Sequence, residues 1–251
     1  MNVPKCVVLA AGSSTRLRPL TDSKPKCLLE VGGKALLERT IENVLAVGIE
    51  EIAIVVGYRA EMIRAFMKLQ FPLQKIHFIL NPNYASTNNA YSLFLARQFM
   101  EDGNEKVNDT LLLLDSDILF SSNLLPYLLS AKGKNKIAVR VSGEHNEEEI
   151  RVKVNGNGNI ILIGKKTPLA ETYGESIGVE IFSTRAADKL FMILDQRVRN
   201  GEGRNEFYEM TFQKMIEEGI TLKAVDVSPF PAIEIDTLED LRLAERLKVD
   251  E

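Results

Sequence analysis

Three short stretches of this 251-residue chain carry residues whose types and spacing can do chemistry. The first is Leu9-Ala10-Ala11-Gly12-Ser13-Ser14-Thr15-Arg16-Leu17-Arg18-Pro19-Leu20-Thr21, followed by Lys24-Pro25-Lys26. Small side chains at Ala10, Ala11, Gly12 and Ser13 let backbone N–H groups approach phosphate oxygens. Arg16 and Lys26 supply the charge that those dipoles alone cannot match. The combination suits a nucleoside triphosphate, and Pro25 stiffens the loop so that Lys26 is expected to face inward. The second stretch is Leu111-Leu112-Leu113-Leu114-Asp115-Ser116-Asp117-Ile118, an apolar strand ending in two carboxylates. Such carboxylates are costly unless hydrated, paired or bound to a cation, and a divalent metal is the natural occupant. Strand alternation places Asp115 and Asp117 on one side, as one ligand and one supporting partner. The third stretch, Ile233-Glu234-Ile235-Asp236-Thr237, alternates carboxylates with apolar residues again and offers Asp236 as the second metal carboxylate. Each stretch alone has a plainer reading, as a structural turn or a helix cap. Together they point to one site.

Positioning these residues requires a sheet with loops at its carboxyl edge. Short apolar runs at 5–9, 51–56, 75–80 and 110–114 alternate with helical stripes such as Leu36, Leu37, Ile41 and Leu45. That alternation predicts βα units and an α/β fold, a doubly wound, mostly parallel Rossmann-like sheet that binds ligands where its strands end. From about Lys136 the pattern changes to short strands joined by tight turns, with Asn155-Gly156-Asn157-Gly158-Asn159 as a hairpin turn. The expected organisation is one domain over residues 1–251 with a β-hairpin insertion at about 140–180. Strand 178–182, helices at 186–194 and 207–217, and a strand at 222–227 follow. A last helix at 238–247 is opened by a capping box from Thr237 to Asp240.

Composition narrows the function. The net charge of −4 argues against general nucleic-acid binding and points to a small-molecule partner. No stretch reaches the ~20 apolar residues of a membrane span, and Cys6 and Cys27 have neither CxxC nor disulfide-framework spacing. A cytoplasmic protein without membrane insertion is expected. His77 and His145 are far apart and lack acidic partners at ligand spacing, and the acidic run 144–149 reads as a solvated loop. A dinucleotide fingerprint is absent, since Ser14 and Leu17 stand where GxGxxG needs glycines, and no GxxxxGK[ST] exists.

Residues 7–26 and the two carboxylate stretches resemble the nucleotidyltransferase superfamily that makes nucleoside-diphosphate sugars and alcohols, whose N-terminal pattern reads LAAGxGTRLxPLTxxxPKxL. The likeness runs from Val7 to about Arg246. Asn81-Pro82-Asn83-Tyr84-Ala85-Ser86-Thr87-Asn88-Asn89-Ala90-Tyr91-Ser92-Leu93 is similar to the N-x-x-Y-x-x-x-N-N-x-Y-S-L segment of small cytidylyltransferases acting on phosphocholine, aminoethylphosphonate or inositol 1-phosphate. The stretch from Ile150-Arg151-Val152 through Ile163-Gly164-Lys165, and then Ile177-Gly178-Val179, is similar to the inositol-phosphate branch. The resemblance implies CTP and a small phosphorylated acceptor as partners, CMP transfer with release of pyrophosphate, and Mg²⁺ as cofactor. By the same resemblance Ala10, Ala11, Gly12, Ser13 and Arg16 hold the triphosphate, Lys26 the α-phosphate, and Asp117 with Asp236 the metal. Asn81, Asn88 and Ser92 lie near nucleotide or acceptor. Ser14 replaces the family's second loop glycine and narrows the approach to the outer phosphates.

The acceptor stays open at this level. A trimethylammonium group wants aromatic faces and a carboxylate, for which Tyr173, Glu175, Tyr208 and Glu209 are of the right type. A polyol phosphate wants amides such as Asn88, Asn89 and Asn205. Two other readings remain, a hexose-1-phosphate uridylyl- or thymidylyltransferase and a non-catalytic nucleotide sensor. The insertion at 140–180 suits either a dimerisation arm, giving a homodimer, or an acceptor lid.

Overall fold

The run Leu111–Leu114 shows no polar alternation because both faces of its strand are covered, and all four residues are fully buried. A computed structural model describes residues 4–101, 107, 109–141, 147, 149–247 and 249. Its strands are β1 (Lys5–Ala10), β2 (Glu30–Val31), β3 (Lys34–Ala35), β4 (Ile52–Val56), β5 (Ile76–Leu80), β6 (Leu111–Asp115), β7 (Ile118–Phe120), β8 (Lys136–Arg140), β9 (Arg151–Val154), β10 (Ile160–Ile163), β11 (Gly174–Phe182), β12 (Lys223–Asp226) and β13 (Ala232–Glu234). The helices are α1 (Leu36–Ala46), α2 (Ala60–Gln70), α3 (Asn89–Leu95), α4 (Arg97–Met100), α5 (Leu124–Ser130), α6 (Thr184–Arg199), α7 (Glu209–Glu217) and α8 (Leu238–Ala244).

Strands β6, β1, β4 and β5 lie side by side and parallel. Antiparallel β11 continues the sheet beyond β6, and carries β9 with β10 and, on its other side, β8 with β12. This is the α/β, Rossmann-like plan expected from the sequence. Strand alternation divides the core between the two faces. Val7, Leu9, Val55, Leu111 and Leu113 pack under α3, α6 and α7, while Cys6, Val8, Ile54, Leu112 and Leu114 pack under α1, α2 and α5. Burial of this kind contributes on the order of 1.5–3 kcal/mol per large side chain.

Two features outside the main sheet position the site. β7 pairs antiparallel with β13, and the Ile235 N–H donates to the Asp117 carbonyl at 3.0 Å, so the second and third acidic stretches are laced together. A third apolar cluster joins Leu17, Leu29, Val31 and Leu36 to Leu119, Ile235 and Ala244. The Asn155–Asn159 turn closes as expected, with the Asn155 N–H donating to the Asn159 carbonyl at 2.9 Å and Gly158 at φ +71°. The Thr237–Asp240 capping box opens α8, which ends at Ala244 rather than reaching 247. Most of the acidic run 144–149, including His145, lies outside the described residues.

Candidate active site

The carboxyl ends of β1 and β6 open onto a cleft walled by Ala10, Ala11, Gly12, Ser14, Arg16, Lys26, Asn81, Asn88, Ser92, Asp115, Asp117, Glu234 and Asp236 among others. The first loop, the segment after β5 and both acidic stretches therefore meet in one place. A Cβ built on Gly12 would meet nothing within 4 Å, so the loop backbone is open to a ligand. Ser13 is on the loop but is not one of the cleft's lining residues, whereas Ser14 beside it, left-handed at φ +47°, is one of them.

Lys26 follows Pro25 in a single turn of 3₁₀ helix, Lys26–Leu28, and is only 6% exposed. Its Nζ donates to Asp117 Oδ2 at 2.8 Å and to Asp236 Oδ1 at 2.6 Å. Arg16, exposed on the cleft's rim, donates to Asp236 Oδ2 at 2.6 Å. Burial alone would lower the Lys26 ammonium, but Asp117 and Asp236 outweigh it and hold its pKa above the usual lysine value. Burial pushes Asp236 up, and Lys26 followed by Arg16 more than offsets it, so its carboxyl stays below the ordinary range. At Glu234 the pull of Lys26 is too weak to offset burial: desolvation, then the charges of Asp117 and Asp236, push it up to about 8.

Carboxylate oxygens of Asp117, Glu234 and Asp236 lie within 4.8 Å of one another. Asp117 Oδ1 is buried and has no hydrogen-bond partner among the described residues. Hard oxygen donors converging on a spot with an unsatisfied lone pair fit a divalent cation such as Mg²⁺. Strand geometry explains the set: Glu234 and Asp236 alternate with Ile233 and Ile235, and Ile235 is fully buried in the third apolar cluster. Glu234 is the member that the sequence analysis did not single out, and its place in the alternating run was the available signal.

Asn81 and Asn88 shape the opposite wall. Asn81 Nδ2 donates to Ser92 Oγ at 3.0 Å and to Thr87 Oγ1 at 3.2 Å, while Asn88 caps α3 by accepting from the Asn89 N–H at 2.8 Å. The Asn88 N–H donates to the Arg204 carbonyl at 2.8 Å, and Asn89 Oδ1 accepts from the Tyr208 N–H at 2.9 Å, which ties this wall to the start of α7.

A second chamber adjoins the first and shares Arg16, Asn89, Asp115, Phe207, Glu234 and Asp236 with it. Arg140, Lys165, Glu175, Ser176, Gly178 and Glu209 complete its chemistry. The expected acceptor residues divide here. Glu175 and Glu209 line the chamber, with Glu175 paired to Arg140 at 2.6 Å. Tyr208 is fully buried behind the wall, where its hydroxyl donates to Asp115 Oδ2 at 2.8 Å. Tyr173 lines neither cavity: it precedes β11, and burial, then Asp226 and Tyr127, push its phenol up. Asn205 likewise lines neither. Asp115 lines both cavities but is not one of the three converging carboxylates, and Gly178 makes room for it. A Cβ there would meet Asp115 Oδ2 at 2.7 Å, and the residue sits at φ +70° in a β11 irregularity.

A family model described as nucleotidyl transferase matches residues 5–228. The chain belongs to this family. As a nucleotidyl transferase it is 29% identical to the CTP:phosphoglutamine cytidylyltransferase of Campylobacter jejuni over 94% of this chain and 97% of the relative. It is 28% identical to the choline-phosphate cytidylyltransferase of Streptococcus pneumoniae, over 98% and 99% of the two chains. The solved structure of the inositol-1-phosphate CTP transferase of T. maritima shares the fold, with a TM-score of 0.76 at 22% identity over 96% of this chain and 94% of that one. No helix of the described residues is long and apolar enough to cross a membrane.

Proposed function

We propose that this nucleotidyl transferase moves CMP from CTP to a small phosphorylated alcohol or a phosphonate and releases pyrophosphate. The observation that carries the reading is Lys26, buried and bound to Asp117 and Asp236 in the same cleft as the open Gly12 loop. Full-length similarity to two cytidylyltransferases supports cytosine as the base.

A phosphate or phosphonate oxygen of the acceptor attacks the α-phosphorus, and pyrophosphate leaves in line. The acceptor is already largely ionised, since a phosphomonoester's second pKa is ~6, so no general base is needed. The chain's own work is positioning and charge neutralisation. Lys26, released from the aspartates, faces the α-phosphate, Arg16 flanks the outer phosphates, and the Gly12 loop offers its N–H groups. Mg²⁺ held by Asp117 and Asp236, with Glu234 beside them, would supply further charge neutralisation and hold the triphosphate's shape. Residues 1–251 act as one unit in this reading, and the insertion at 140–180 serves as the acceptor wall. The lining by Arg140, Lys165, Glu175 and Gly178 supports that role.

Pyrophosphate release measured with CTP, UTP, dTTP and GTP, each with Mg²⁺ and a panel of phosphorylated acceptors, tests the proposal. CTP-dependent release supports it. Preference for UTP or dTTP with a hexose 1-phosphate, or nucleotide binding with no release from any acceptor, overturns it.

A further inference from the structure

Building on that reading, we infer that Glu209 determines acceptor specificity and that the acceptor carries a primary or secondary ammonium group, whose N–H donors this carboxylate receives. Glu209 opens α7, is 5% exposed, and lines the second chamber. Its Oε2 is buried and has no hydrogen-bond partner among the described residues. An ionised oxygen in that condition costs the fold free energy until a donor arrives.

The chamber's resident cations are engaged elsewhere. Arg140 is paired with Glu175 and Arg16 with Asp236, both at 2.6 Å. Lys165 lies over the Phe207 ring, 5.1 Å from its centroid, and its charge acts on Glu209 through space. Tyr208, the hydroxyl next to Glu209 in sequence, donates to Asp115 instead. Behind the wall stands Glu180, fully buried, with its own Oε2 unpartnered among the described residues. Glu209 and Glu180 thus each keep a buried carboxyl oxygen without a donor among the described residues.

The chemistry of this wall discriminates among acceptors. A polyol presents hydroxyls that a donor-and-acceptor lining serves best; of the amides of that kind Asn89 lines the chamber and Asn205 does not, and a hydroxyl brings no counter-charge to Glu209. A trimethylammonium group has no N–H to give and needs several aromatic faces. Phe207 is the only aromatic ring among the chamber's lining residues, and Lys165 already covers it. An ammonium with N–H donors satisfies Glu209 Oε2 directly in a charge-assisted hydrogen bond. The acceptor class is thus an aminoalkyl phosphate or aminoalkyl phosphonate. The shared walls of the two cavities let its phosphoryl end reach the cleft of Lys26 while its nitrogen rests on Glu209.

Steady-state pyrophosphate release with CTP and Mg²⁺ tests this, using phosphoethanolamine, 2-aminoethylphosphonate, phosphocholine, inositol 1-phosphate and glycerol 3-phosphate as probes. The two amines with N–H donors are expected to give kcat/KM at least about tenfold above the other three. Glu209→Gln should raise KM for the preferred amine about 10- to 100-fold, the size of one charge-assisted contact, and leave KM for CTP unchanged as evidence of an intact fold. Glu209→Asp, which keeps the charge and draws it back, should retain the preference with a smaller rise. Preference for phosphocholine or a polyol phosphate overturns the inference while the CMP-transfer reading stands. An unchanged amine KM in Glu209→Gln overturns it equally. Absence of release from every nucleotide and acceptor overturns the parent reading and this one with it.

Discussion

Replacing Lys26 by methionine tests the central arrangement through stability as well as rate. In the parent chain one ammonium sits 2.8 Å from Asp117 and 2.6 Å from Asp236, with the Glu234 carboxylate close by. The variant keeps the length of the side chain and removes the charge, leaving carboxylates facing each other. Breaking a buried ion pair by deleting one partner costs about 3–5 kcal/mol. The aspartate side chains retain 27% exposure, so water screens part of the repulsion and the lower end, about 3 kcal/mol, is expected. For a chain of this size that is a fall in Tm of roughly 6–12 °C, at about 2–4 °C per kcal/mol. Mg²⁺ then stabilises the variant more than the parent. In the parent it must displace Nζ from the same oxygens, whereas in Lys26→Met it finds them free, and a concentration of 100 Kd restores about 2.7 kcal/mol. Thermal denaturation without nucleotide, in EDTA and in a MgCl₂ series, should show a destabilised variant with the larger metal response. Turnover should fall on the order of 10²–10³ with loss of one preorganised charge. A variant as stable as its parent in EDTA, with the same Mg²⁺ response, would refute the reasoning.

Ser14→Gly relieves a left-handed residue at φ +47°, worth about 1–2 kcal/mol, against about 0.4–1 kcal/mol of added unfolded-chain freedom. The net is about 0–1.6 kcal/mol, a Tm rise of up to roughly 6 °C by calorimetry, and a fall would show that Ser14 is held by more than the hydrogen bond its carbonyl accepts from the Thr21 hydroxyl. Glu209 is raised from 4.5 to about 7 by desolvation, so the folded chain holds this proton more tightly than the unfolded one. Its contribution to stability is complete below pH 4.5 and is lost as pH rises to 7, by up to about 3 kcal/mol at 1.36 kcal/mol per unit. Buried Glu180 shifts in the same direction. Urea denaturation from pH 5 to 8 should show declining stability in the ligand-free protein and a flatter profile in Glu209→Gln, and identical slopes in the two would contradict the shift.

Local signals read well where one segment decides its own structure. The apolar run at 111–114, the Asn-Gly turn at 155–159 and the Thr237 capping box each formed as their residues require. The pairing of Lys26 with Asp117 and Asp236 was legible only as chemistry, because three isolated signals each lacked a counter-charge. What the sequence concealed was long-range geometry. Nothing local says that Ile118–Phe120 pairs with Ala232–Glu234 across more than 100 positions, nor that Glu234 joins the acidic pair. Tyr173 and Tyr208 had the side chains an acceptor site needs, but residue type does not reveal on which side of a wall a ring stands. Tyr208 turned inward because its hydroxyl found Asp115.

The element that makes one site of three stretches is the small third core, not the main sheet. Leu17 leaves the cationic loop, Leu29 and Val31 follow Lys26, Leu119 lies in β7, and Ile235 stands between Glu234 and Asp236. These apolar side chains pack together on one side, and strand alternation sends Glu234 and Asp236 to the other. The hydrophobic contact is thereby the means by which like-charged carboxylates are forced close together. Lys26, at 6% exposure, is the neutralising charge that this packing admits. With Lys26 between the two aspartates and Glu234 pushed up to about 8 by burial, the repulsion left to overcome is that between Asp117 and Asp236. Burial of a few apolar residues, at about 1.5–3 kcal/mol each, is large enough to oppose that repulsion and so to hold an acidic site ready for a cation.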